Sequence, residues 1–271
     1  MAASRAGARI TLAGAEFDPI THAALISRVS LAIAGGSGGT IVTPNIDICH
    51  QMSRDPASRA LVEASTLVVP DGMPLLWASR LAGQPLPERI TGADLIYSLS
   101  AAAADNGWPV YVVGGLPGQD GQASAAQLAA DGLAARYAGL AVAGAYSPPA
   151  CFDAVAGDIS SLLDDLVSAS PLIVFVGLGF PKQEQVIERL RVKLPDAWYI
   201  GCGAAIPYAA GRLRRAPLWM QRAGLEWLFR LISEPRRLAR RYLGRDLPFA
   251  VGLLAGACWQ RVRSLAPARQ S

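Results

Sequence analysis

Residues 67–94 read LVVPDGMPLLWASRLAGQPLPERITGAD. The stretch begins as a short apolar strand, breaks at Pro70-Asp71-Gly72, and continues as a helix rich in Trp and Leu. It then returns through Pro85 and Pro87 to Glu88-Arg89-Ile90-Thr91-Gly92. A carboxylate placed where a buried strand ends is held by a rigid element, yet it faces the cleft above a parallel sheet, where ligands of open α/β folds sit. Arg89, eighteen positions after Asp71, can come back to the same rim. Together they supply a base and a cation for an anionic group. On this stretch alone a plainer reading is also open, with Asp71 capping the following helix and Arg89 a solvated loop charge.

The chain on either side repeats the pattern. Strand-like apolar runs at ARITLAG (8–14), GGTIVTPN (38–45), PVYVVGG (109–115), LAVAGAYSP (140–148), PLIVFVG (171–177) and AWYIG (197–201) alternate with helical patterns, among them ADLIYSLSAAAADN (93–106) and FDAVAGDISSLLDDLVSAS (152–170). Continuous apolar strands between helices of 10–18 residues predict an α/β fold, a Rossmann-like, mostly parallel sheet with helices on both faces. Five strands run into Thr43, Asp71, Gly114, Gly177 and Gly201, and in a parallel sheet those ends share one rim. After Gly211 the pattern changes to arginine, tryptophan and leucine without a strand. The expected division is a catalytic domain over 1–205 and a basic helical C-terminal appendage over 206–271.

Charge follows the same division. From Arg212 onward thirteen arginines face Glu226, Glu234 and Asp246, a balance of +10; with the whole chain at +4, residues 1–211 sum to −6. In the appendage Leu225, Leu228, Phe229 and Ile232 fall on one helical face, and Arg236, Arg237, Arg240 and Arg241 cluster just after it. A basic amphipathic segment with Trp219, Trp227 and Tyr242 suits an anionic membrane surface; docking of a C-terminal helix on the body is the alternative. No nucleic-acid-binding motif accompanies it, so no nucleic acid partner is expected. No apolar run reaches the ~20 residues of a spanning helix, the longest, Leu247 to Trp259, being broken by Pro248. The first residues show no secretory h-region. Cys49, Cys151, Cys202 and Cys258 are far apart, as suits reduced thiols in a cytosolic chain.

The glycine loops argue against a redox cofactor. Gly177-Leu178-Gly179 lacks the third glycine of a dinucleotide turn, and Gly114-Gly115-Leu116-Pro117-Gly118 has the wrong spacing. Both connections still lead into helix N-termini, where backbone N–H groups favour phosphate, and Lys182 adds a cation. Neither an Asp-x-Asp pair nor a Gly-x-Ser-x-Gly elbow is present. His22 and His50 are isolated. No metal and no cofactor are expected, so arginine, lysine and helix ends must meet any leaving-group charge.

TPN at 43–45, PDG at 70–72, ERITGADL at 88–95, VVGGLPG at 112–118, VGLGFPKQE at 176–184 and the segment 210–243 resemble, in order, the WecG/TagA/CpsF family of glycosyltransferases. The resemblance implies inverting, metal-independent transfer of a sugar from a UDP-sugar donor to a lipid-linked, polyprenyl-diphosphate sugar acceptor at the cytoplasmic membrane face, in cell-surface polysaccharide synthesis. It implies Asp71 as general base, with Arg89, Thr43 and Gln183 beside it. Asn45, Gly114, Gly115, Gly177, Lys182, Arg214 and Arg215 are the expected substrate contacts. It also implies peripheral attachment through the C-terminal arginines and a homo-oligomer, dimer or trimer. One stretch departs. Family members often read GxGGAFDFLAG where this chain has GCGAAIPYAAG at 201–211, so Ile206 and Pro207 replace Phe and Asp. The donor sugar is therefore open between an N-acetylmannosamine type and a hexose such as glucose. An NAD(P)-dependent oxidoreductase and a non-catalytic membrane-surface binder are the competing readings.

Overall fold

The computed structural model describes residues 8–118, 121–149 and 151–265, with the side chains of Arg222, Arg237, Ser264 and Leu265 outside the described residues. The strands are β1 Ile10–Leu12, β2 Ala15–Phe17, β3 Gly39–Val42, β4 Leu67–Val68, β5 Val110–Gly114, β6 Val142–Tyr146, β7 Ile173–Gly177 and β8 Trp198–Gly201. The helices are α1 His22–Ala34, α2 Ile46–Arg54, α3 Pro56–Glu63, α4 Met73–Leu81, α5 Gly92–Asn106, α6 Ala125–Arg136, α7 Ser160–Ala169, α8 Lys182–Arg191, α9 Ala205–Ala209, α10 Leu218–Arg222, α11 Glu226–Ser233, α12 Pro235–Arg241 and α13 Leu247–Leu265, with a π-helical turn Tyr242–Asp246 before the last.

Strands β3 to β8 form one six-stranded sheet in the order β4-β3-β8-β7-β5-β6, every pairing parallel. Alternate residues feed opposite faces, which is why the strands read as unbroken apolar runs. Val110 and Val112 join the core formed with α1, α5 and α6, while Tyr111 and Val113 join the one formed with α7 and α8. Phe175 and Val176 divide in the same way. Side-chain oxygens start the helices where the sequence offers them: Asn45 for α2, Asp55 for α3, Thr91 for α5 and Ser124 for α6. Gly107, in the left-handed region at φ 69°, stops α5.

The structure differs from expectation at three places. The first strand does not enter the sheet. It turns at Ala13-Gly14, both at positive φ, and pairs antiparallel with β2. Asp18 then fastens the hairpin to β4, its amide donating to the Val68 carbonyl and its Oδ2 accepting the Val68 amide, both at 2.8 Å. The helix expected over 152–170 begins only at Ser160, because Asp153 and Asp158 accept nearby backbone amides and hold the preceding residues in turns. At the far end, Ile206 of α9 is fully buried in the main core, so body packing runs through the residue where the appendage was expected to begin.

The appendage then returns to the body. Ala250 and Ala257 of α13 are buried with Leu75 and Ala78 of α4 in a second apolar cluster. Pro248 follows directly on the π-helical turn Tyr242–Asp246, through which the helix continues from α12. The tail helix thus docks on the body, as the alternative reading had it, while Leu247, Val251, Trp259 and Val262 stay exposed. Among the described residues no helix is long and apolar enough to cross a membrane. All four cysteines are free, Cys49 and Cys202 buried, Cys151 and Cys258 exposed.

The seat of α5 is a tight point near the strand ends. A Cβ on Gly92 would lie 2.8 Å from the Cys202 Cα at the end of β8. Gly92→Ala is expected to cost about 1–3 kcal/mol by overpacking and to lower the urea midpoint. An unchanged midpoint would show that α5 has slack there.

Candidate active site

Three chain segments are zipped together just beyond the strand ends. The Asp71 amide donates to the Pro44 carbonyl at 2.9 Å, and the Ile90 amide donates to the Pro70 carbonyl at 2.9 Å. These bonds set Thr43-Pro44-Asn45, Pro70-Asp71-Gly72 and Arg89-Ile90-Thr91 side by side. Asp71 is not a helix cap. The N-cap of α4 is Gly72, at φ 141°, with no side-chain hydrogen bond. Asp71 is half-buried. Burial, with the Glu226 and Asp94 charges adding to it, pushes its pKa up to about 7 against the pull of Arg89 and Arg230.

The appendage supplies the other wall. Arg89 Nη1 lies 3.2 Å from Glu226 Oε2, and Arg89 Nη2 donates to the Gln221 carbonyl at 3.4 Å. Arg215 takes the second oxygen, its Nε 2.9 Å from Glu226 Oε1, and its Nη1 is 2.6 Å from Asp94 Oδ1. The Glu226 carboxylate is therefore shared between a body arginine and a tail arginine. Burial works against the Asp94 charge, but hydrogen bonds from Arg215 and Thr91 hold its carboxyl below the usual range. Arg230 sits close enough for Asp71, with Tyr208 and Tyr242, to favour its charge against burial. The cationic groups around Asp71 thus come from two ends of the sequence.

Gln183 lies one layer below. It is buried, accepting the Gly203 amide at 3.1 Å and donating to Glu184 Oε1 at 2.8 Å. Its polar atoms therefore hold the β8–α9 turn. Glu184 is also buried, Oε2 has no hydrogen-bond partner, and burial raises its pKa to about 7. Gly201 packs against both side chains, and Cys202, the next residue, carries Gly92. Gln183 is thus joined by contacts to the Arg89–Thr91 segment.

The remaining expected contacts divide. Thr43 is buried at the rim. Asn45 spends its side chain on the Ile48 amide at 3.0 Å. Beside Gly114 and Gly177 the room goes to Ile206, whose side chain would be 2.9 Å and 2.6 Å from a Cβ there; Gly115 turns the chain at φ 70°. Lys182 is exposed at the start of α8, and Arg214 is exposed one residue before Arg215. Pro207 occupies the first turn of α9, where no amide is needed, and its carbonyl accepts the Arg212 and Leu213 amides. His22 is structural, its ring 2.8 Å from Ser98 Oγ and its amide bonded to Glu88. Among the described residues no three His, Cys, Asp or Glu side chains converge as a metal site.

Sequence reasoning missed Asp94, Glu226 and Arg230. Asp94 carried a signal, since Thr91-x-x-Asp94 is a helix-start pattern that fixes its position. Glu226 was visible only as one of three carboxylates in an arginine-rich tail.

The model of a family described as "Glycosyl transferase WecG/TagA/CpsF family" matches residues 10–263. A protein of Bacillus spizizenii named N-acetylglucosaminyldiphosphoundecaprenol N-acetyl-beta-D-mannosaminyltransferase is 31% identical over 206 residues, 75% of this chain and 74% of its own. A protein of the same name from Bacillus subtilis strain 168 is 30% identical over 203 residues, 75% of each chain.

Arg215→Met leaves Asp94 and Glu226 without their shared cation. The expected loss is about 2–3 kcal/mol, at the low end for a buried pair because the groups keep some exposure, with faster proteolysis between residues 212 and 225. Arg214→Met, at an exposed position, is expected to change stability by no more than about 0.5 kcal/mol. Equal effects of the two would sink this account of the tail contact.

Proposed function

The chain belongs to the WecG/TagA/CpsF family of glycosyltransferases, and we propose that it transfers a sugar from a UDP-sugar to the sugar of a polyprenyl-diphosphate-linked acceptor, with inversion and without a metal ion. Membership replaces the oxidoreductase and non-catalytic alternatives. The observation that carries the mechanism is Asp71: a carboxylate fixed by backbone bonds at a strand end, unused as a cap, and flanked by Arg89 and Arg230.

In this reading Asp71, as the carboxylate, takes the proton of an acceptor hydroxyl while that oxygen attacks the anomeric carbon of the donor. The carbon–oxygen bond to UDP breaks on the opposite face, and the electron pair leaves with the diphosphate. Arg89, Arg215 and Arg230 are the cations placed to meet diphosphate charge. Glu226 now satisfies two of them, so an incoming diphosphate either displaces that carboxylate or adds its charge beside it. The reading without metal draws on these guanidiniums, which supply cationic charge at the rim. Thr43 sits where it can orient sugar or phosphate. Gln183 acts through the Gly203 turn, next to Ile206 and Pro207, where this chain departs from the family pattern. The donor is an N-acetylmannosamine-type or glucose-type UDP-sugar, the former being the sugar in the relatives' name.

We place the enzyme at the membrane as a peripheral protein. The supporting features are the exposed Trp219, Trp227, Ile232, Leu243 and Trp259 beside exposed arginines of the tail, together with the lipid-linked substrates in the relatives' name.

The test is transfer onto a short-chain polyprenyl-diphosphate sugar, with EDTA present, from a panel of UDP-sugars. Asp71→Asn is expected to lower turnover by about 10²–10⁴-fold. Because the folded-state pKa of Asp71 is raised, the active carboxylate is lost as pH falls through about 7, so kcat/KM should rise with pH across that value. Full activity in Asp71→Asn, or a flat profile between pH 6 and 8, would remove Asp71 as the base.

A further inference from the structure

A second cationic site lies away from the rim. Between α2 and the run from α12 into α13 is an open cleft of about 940 Å³ lined by His50, Arg54, Arg240, Arg241, Arg245 and Phe249. Arg54 comes from the body and the other arginines from the appendage. The helix α2 begins at Asn45 beside Asp71, and nine residues of α-helix separate Asn45 from Arg54, about 13 Å along the axis. The cleft is thus on the flank, a helix length from the catalytic carboxylate.

Among the described residues its arginines outnumber the carboxylates that pair with them. Four arginines face two carboxylates, Asp47 and Asp246. Arg245 and Arg241 both reach Asp47, the latter at 3.5 Å. Their Nε groups approach Asp246 only to 3.6 and 3.7 Å, beyond hydrogen-bonding length, and both are buried without a hydrogen-bond partner. Arg54 and Arg240 are exposed at the opening. The exposed guanidiniums of Arg54 and Arg240, at the mouth of a concave opening that Arg241 and Arg245 also line, match the oxygens of a phosphate.

The neighbouring surface narrows the choice of phosphate. Leu243, Leu247 and Val251, spaced four residues apart along the same helical run as Arg245, are 54%, 53% and 58% exposed. An apolar line beside a roomy cationic opening fits a ligand carrying both a phosphodiester and acyl chains. A soluble phosphate ester would leave that line uncovered.

The geometry points to this cleft as a binding site for the phosphate of an anionic membrane phospholipid, with the Leu243–Leu247–Val251 line against the acyl region. The site deepens the peripheral-membrane part of the proposed function and rests on it. Because α2 connects cleft and rim, a lipid held here sets the distance of Asp71 from the bilayer. The cleft is shared by body and tail, so a bound headgroup also favours the docked position of α13.

The test uses the full chain and vesicles of phosphatidylcholine with or without phosphatidylglycerol, read by co-sedimentation. Wild type is expected to bind only the phosphatidylglycerol vesicles. Arg54→Gln is compared with Arg236→Gln, which removes the same charge from an exposed tail position outside the cleft. Loss of one charge from general surface attraction weakens binding by about fivefold, the expectation for Arg236→Gln; Arg54→Gln should lose tenfold or more. Equal losses would overturn the site while leaving tail attraction in place. No binding of wild type to either vesicle would overturn the membrane reading as well. In a parallel titration without vesicles, glycerol phosphate should bind far more weakly than the vesicles do; equal affinity would reassign the cleft to soluble phosphate esters.

Discussion

Two backbone hydrogen bonds beyond the end of the sheet, Asp71 to Pro44 and Ile90 to Pro70, determine where everything at the rim sits. The first continues the pairing of β3 and β4 beyond the strand ends, and the second ties the segment before α5 to the loop after β4, so the loops inherit the rigidity of the sheet. Each loop then enters a helix without slack: Asn45 caps α2, Gly72 opens α4 and Thr91 caps α5. A carboxylate on such a loop has no need to order itself on binding, and geometry of that kind is what general-base chemistry requires. Deforming either bond would move Asp71 relative to Arg89 and, through Arg89, relative to the tail.

The tail is where composition alone misleads. Its +10 balance suggests a uniformly cationic surface, but its arginines differ in their surroundings, Arg241 and Arg245 being paired with Asp47 and Asp246 on the flank. Arg215 and Arg230 turn inward, where carboxylates and tyrosines stabilise their charge against burial. Arg212, Arg214, Arg236 and Arg240 face solvent. The inward pair is matched to the acidic body, whose Asp71 and Asp94 would otherwise face one another across a partly buried rim. The same arrangement keeps the Asp71 carboxyl at about 7 instead of higher, because Arg89 and Arg230 offset part of the burial and the repulsion.

Much of this was legible in the sequence where local rules apply. The parallel sheet followed from strands such as VYVVG and IVFVG, buried on both faces, and its rim from the polar residues after them. Asp71 and Arg89 lie in one short stretch and could be paired by eye. The hairpin β1–β2 was not legible, because Ala13 adopts a left-handed conformation that its residue type does not announce. The late start of α7 depended on Asp153 and Asp158 choosing backbone amides two and three residues on. The Glu226 bridge was beyond local reading altogether: its partner is 137 residues away, and nothing in the pattern EWLFR singles out that carboxylate.

The docking of α13 on α4 has a practical side. The helix that opens at Gly72, directly after Asp71, has Leu75 and Ala78 on its inner face, and part of that face is covered by Ala250 and Ala257 from the far end of the chain. A shortened protein ending near residue 211, made to improve handling, would therefore trade one greasy surface for another. It would uncover apolar groups one helical turn from Asp71, and loss of activity in such a fragment would report a damaged body as readily as the loss of the tail arginines.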